Sequence, residues 1–151
     1  MKRGFNIFWA IFRIYFLHLF AILAVWLGMY FPGLDIILAI LYIIFLWNEG
    51  QHSLRLLNNP KKTILVAGIW QFPGMILALS VLTGLDTLAD FAYYFVFMLE
   101  LWLTPVLPLI SIIPTFTILD NPFYYYCFFI LVPMLALVYC FPVFMRRSEK
   151  Y

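Results

Sequence analysis

Few side chains in this sequence are equipped for chemistry, and most of them stand alone. Of 151 residues, 66% are hydrophobic and only 11% are charged. Arg13 and Glu100 are ionisable groups inside long apolar runs, and Gln71 is the one strongly polar side chain in a third. Such groups usually face a bundle interior, where they pair or line a pathway. At a helical rise of ~1.5 Å per residue in a ~30 Å hydrocarbon core, Arg13 lies about 12 Å, Gln71 about 10 Å and Glu100 roughly 16 Å from one membrane face. Arg13, Gln71 and Glu100 are therefore expected to share an intramembrane polar layer. Two arrangements satisfy it. Arg13 pairs with Glu100 across helices, or Arg13 reaches the headgroups along its apolar stem while a protonated Glu100 bonds a backbone carbonyl.

No catalytic constellation accompanies these residues. Intramembrane proteolysis needs a Ser/His pair, two aspartates or a zinc-binding H-E-x-x-H, and the apolar segments contain none of them. His52, Arg55, Lys61 and Lys62 fall in a polar segment without a companion aspartate, which reads as a solvated basic connection. Asp86 and Asp90 read likewise as a solvated acidic connection. His18 is the sole histidine in an apolar segment, which argues against a bis-histidine haem, and no His, Cys or carboxylate cluster has metal-ligand spacing. Cys127 and Cys140 would lie ~20 Å apart along one helix, too far to form a disulfide. Neither a cofactor nor a metal is expected. A net charge of +2 with scattered basic residues excludes nucleic acid as a partner.

The elements that position these groups are five apolar segments, at about 5–31, 34–48, 64–85, 91–119 and 122–145. Together they predict an all-α integral membrane protein, a compact multi-pass bundle forming one domain with no soluble part. The second segment has an apolar core, Ile36 to Trp47, of about 12 residues, short of the roughly 17–25 a span needs, unless it starts at Leu34 and runs helically into Asn48 and Glu49 with its last turns outside the lipid. The polar stretch Asn48 to Thr63 is expected to be an interfacial turn or a loop. Helix breaks are expected at Pro73, Pro105, Pro108, Pro114 and Pro133. Trp9, Tyr30, Trp47, Tyr93, Tyr94 and Tyr124 to Tyr126 sit near segment ends, where aromatic rings favour the headgroup level.

Lys2, Arg3, Arg55, Lys61 and Lys62 place the amino terminus in the cytoplasm by the positive-inside rule. Five full spans would put Arg146, Arg147 and Lys150 outside, against that rule. Four spans with a re-entrant fourth segment, broken at its prolines, bring them inside. Both topologies stand at this level. A short chain with short connections suits a bacterial plasma membrane. The expected function is that of a non-enzymatic accessory, regulatory or immunity-type membrane subunit, acting by helix–helix association with another membrane protein or as a homo-oligomer within the lipid bilayer. The alternative is a small oligomeric carrier or channel, with Glu100 and the Pro105/Pro108 break lining the path.

Overall fold

A computed structural model describes residues 2–83, 93–114, 117–118 and 121–148. Its helices are α1 (Lys2–Gly28), α2 (Leu34–Leu57), α3 (Pro60–Leu82), α4 (Tyr93–Leu103), α5 (Leu107–Ile110) and α6 (Phe123–Ser148). Just before α6, β1 (Thr117–Ile118) and β2 (Asn121–Pro122) form a two-residue antiparallel pair. The expected acidic connection at Asp86 and Asp90 lies outside the described residues. Among the described residues, four runs are long and apolar enough to cross a membrane: Ile7–Gly28, Leu34–Leu57, Pro60–Leu82 and Tyr126–Met145. The chain is a membrane-embedded helical bundle.

Short turns make α1, α2 and α3 an antiparallel series. Between α1 and α2, Gly33 takes a left-handed φ of 83°, which an L side chain rarely adopts. Between α2 and α3 only Asn58 and Asn59 intervene. Asn58 closes α2 in the left-handed region (φ 44°), with its N–H on the Leu54 carbonyl. The Asn59 side chain accepts from the Lys61 N–H at 3.0 Å and caps α3, and Pro60 fills the first turn, where no backbone donor is missed. The polar stretch from Asn48 is thus not a loop. Residues 48–57 continue α2 without interruption, because Gln51, Leu54, Arg55, Leu56 and Leu57 favour a helix and Gly50, Ser53, Leu54 and Leu57 are buried.

The core runs through all the long helices and α4. Ile14, Leu46, Val66, Leu99, Leu103 and Leu135 are fully enclosed, while Phe16, Phe20 and Phe72 point outward. An apolar exterior suits lipid as solvent, where no hydrophobic penalty opposes it. α2 and α6 approach closely at Gly50, since a Cβ there would collide with the Tyr139 carbonyl oxygen.

The prolines divide into two kinds. Pro73 and Pro133, expected as breaks, lie inside the continuous helices α3 and α6, as does Pro142. Pro73 has no N–H to offer the carbonyl four residues back, on Ile69. The Tyr15 hydroxyl of α1 donates to that carbonyl at 3.1 Å, so a neighbouring helix replaces the lost bond. Pro105 and Pro108, by contrast, coincide with the end of α4 at Leu103. There the Thr104 hydroxyl donates to the Glu100 carbonyl at 3.0 Å, and the Val106 N–H to Leu103 at 2.8 Å. α5 is a single turn with Pro108 near its start, and Pro114 follows in non-helical chain.

Candidate functional site

Polar side chains in the bundle gather in two places. The first lies between α1 and α2. Arg13 Nη2 meets Glu49 Oε2 at 2.5 Å, and the other carboxylate oxygen accepts from Ser53 Oγ, one turn along α2, at 3.2 Å. The Arg13 side chain is 28% exposed and that of Glu49 11%, so the pair is largely withdrawn from its surroundings without being sealed. It is the one ion pair among the described residues.

A groove of about 590 Å³ opens beside this pair. Trp9, Phe12, Phe16 and Phe20 form one α1 wall, spaced three or four residues apart so that they share a face. Trp9 stacks on Phe12 (centroids 5.6 Å, planes 17° apart) and Phe12 on Phe16 (6.4 Å, 20°). Phe45, Asn48 and His52 complete the groove from α2. The charges and the amide therefore sit part-way along the groove, with Trp9 and Phe12 to one side of Arg13 and Phe16, Leu17 and Phe20 to the other.

The second gathering is at the bundle centre. His18 is fully enclosed; its Nδ1 lies 2.7 Å from the Tyr42 hydroxyl of α2. Its ring sits 4.4 Å from Trp102 of α4 and edge-on to Trp70 of α3 at 5.5 Å. Trp102 reaches this position because Gly74 has no side chain, a Cβ there falling 2.6 Å from the indole nitrogen. The indole N–H donates to Gln71 Oε1 at 3.2 Å. An indole nitrogen can only donate, so this bond fixes which end of the Gln71 amide faces it. Gln71 Nε2 is left without a partner, as are His18 Nε2, Trp70 Nε1 and the Tyr139 hydroxyl. Tyr139 lies near Ser53 and Glu49 without a hydrogen bond of ordinary geometry.

The expected layer is thus resolved into separate contacts. Arg13 pairs with Glu49, not with Glu100. Gln71 is engaged by Trp102, and the half-buried Glu100 carboxylate has no ion pair among the described residues. The correction follows from α2, whose helical continuation carries Glu49 back beside α1. Among the described residues no group of three His, Cys, Asp or Glu is placed to hold a metal ion. Cys127 and Cys140 are unbridged on α6.

A further groove, of about 600 Å³, lies between α3 and α6. Ala67, Gly68, Phe72, Pro133 and Cys140 line it, and Gln71, only 2% exposed, lies at its floor. A Cβ on Gly68 would meet no atom within 4 Å. Compared with protein-family models, curated proteins and solved structures, the chain gives no match.

Proposed function

We propose that this protein is a non-enzymatic membrane subunit that works by helix–helix association, and that one transmembrane helix of a partner protein docks between α3 and α6. The observation that carries this reading is the α3–α6 groove with Gln71 at its floor, whose amide nitrogen has no acceptor. Small residues such as Ala67 and Gly68 let a helix backbone approach closely, and polar side chains then bond across the contact. The Gln71 amide nitrogen has no exposed surface, so a small outward shift of that side chain would let a hydroxyl or carbonyl oxygen of the partner helix accept from it. A concave face is not self-complementary about a two-fold axis, which favours a partner's ridge over a second copy of the same groove.

The same reading makes α4 and α5 a re-entrant segment between α3 and α6. At ~1.5 Å per residue, α4 is only ~16 Å long against a ~30 Å core. With four full spans, the basic residues near both ends of the chain share the cytoplasmic side.

Photo-crosslinking from position 72 in native membranes tests the docking. A discrete hetero-adduct that disappears in Gly68→Leu, with the variant still accumulating normally, is the expected result. Adducts at twice the chain mass would instead mean a second copy, and lipid adducts alone would overturn the association reading.

A further inference from the structure

The α1–α2 groove combines features that the association reading does not use. Its two charges are of opposite sign and in contact. A purely anionic group drawn to Arg13 would stand against Glu49, and a purely cationic one would reverse the conflict. A ligand bearing both signs avoids this, because its anion can meet Arg13 while its cation meets Glu49. Neither residue is saturated. A guanidinium has five N–H donors, and a single one is spent on Glu49 among the described residues. Each Glu49 oxygen accepts one bond and has room for a second. Asn48, exposed beside them, adds an amide that can both donate and accept.

The shape of the groove limits the ligand further. From the charged pair, the α1 wall continues through Phe16 and Phe20 toward the far end of the helix, and Phe45 of α2 faces the same space. These rings are 64%, 62% and 52% exposed, on a surface that meets lipid. A small soluble zwitterion would leave this apolar length unused. A diacyl chain would lie along it.

We infer that the α1–α2 groove binds a phospholipid whose headgroup carries both a phosphate and a primary ammonium, the phosphate on Arg13 and the ammonium on Glu49. The acyl chains lie along Phe16 and Phe20 of α1 and Phe45 of α2, while Trp9 and Phe12 flank the headgroup on its other side. A primary ammonium donates hydrogen bonds to the carboxylate, which a trimethylammonium cannot do. A glycerol headgroup offers the phosphate without the cation.

The test uses the full chain reconstituted with equal amounts of phosphatidylethanolamine, phosphatidylcholine and phosphatidylglycerol, then extracted in mild detergent. Native mass spectrometry reads the retained lipid. The expected result is retention of the ethanolamine lipid about tenfold over each of the others, equivalent to about 1.4 kcal/mol. In Arg13→Gln/Glu49→Gln, which removes both charges together, the preference should fall to parity. Asn48→Leu, which leaves the ion pair intact, should reduce it severalfold and decides the matter should the double variant not fold. Equal retention of the three lipids by the unaltered protein would overturn the inference. So would a preference that persists undiminished in either variant.

Discussion

The Tyr15 hydroxyl donates to the Ile69 carbonyl, the acceptor that Pro73 leaves without its own helix partner. One helix thereby completes the hydrogen bonding of another across the bundle. In lipid this matters more than in water, because no solvent stands ready to bond the carbonyl. Tyr15→Phe should cost about 1–3 kcal/mol, the range for leaving a buried polar group unsatisfied. The cost should shrink in a Pro73→Ala background, where the restored N–H reaches Ile69 from within α3. Unfolding midpoints of the four proteins in one detergent measure this coupling; equal costs in both backgrounds would refute it.

The Arg13–Glu49 pair predicts a different pattern. Removing one partner strands the other charge, a loss of about 3–5 kcal/mol for fully buried pairs and less for this part-buried one. Arg13→Leu and Glu49→Leu should each accumulate poorly in membranes, and the double change should recover. Arg13→Leu with Glu100→Leu should show no such recovery, since Glu100 is not the counter-ion. Quantitative immunoblots of membrane fractions distinguish the two pairings.

Gly50 and Gly68 make a matched comparison. At Gly50 an added methyl would press on the Tyr139 main chain, which no rotamer change can move aside. Gly50→Ala should destabilise by at least the ~1–3 kcal/mol typical of overpacking. Gly68→Ala should be neutral or stabilising by up to about 1 kcal/mol, since the added methyl meets nothing and a helix-interior glycine is removed. Thermal unfolding in detergent reads both, and equal midpoints would contradict the α2–α6 contact.

Topology is read with cysteines introduced singly at Thr87 and Ser148, after replacement of Cys127 and Cys140. Four spans with a re-entrant α4–α5 segment put the two on opposite sides of the membrane. Labelling of both by an impermeant maleimide from the same side would establish five crossings.

Hydropathy alone makes α1, α3 and α6 legible as membrane-spanning helices, since twenty-odd apolar residues leave little other choice. The end of α2 was not legible that way, because the drop in hydropathy at Asn48 marks where lipid ceases to be favoured and not where the helix stops. Asn58-Asn59-Pro60, a left-handed residue, a cap and a first-turn proline, is the truer stop signal. Proline by itself did not announce a break. Pro73 is absorbed because Tyr15 lies opposite its orphan carbonyl, a fact of tertiary packing invisible along the chain. Pro105 and Pro108, three residues apart, remove two ladder donors in one turn and coincide with the end of α4. Depth estimates that place Arg13 inside the lipid and Glu49 at or beyond its edge hide Glu49 as the partner of Arg13. A helical hairpin turning near Phe31 places Arg13 and Glu49 equally far from the turn, and that register was available in the sequence.

That hairpin has a consequence in time. Arg13 and Glu49 are 36 residues apart in sequence. At about 5–20 residues per second, the arginine is synthesised roughly 2–7 s before its counter-ion. Throughout that interval α1 carries an unpaired guanidinium seven residues into the Ile7–Gly28 span, at a cost below the about 2.5–3.5 kcal/mol of a helix centre. The smallest length of nascent chain in which Glu49 neutralises this charge is therefore the hairpin through Glu49, and α1, already apolar enough to cross lipid alone, gains the remainder of its stability there only once α2 is paired with it.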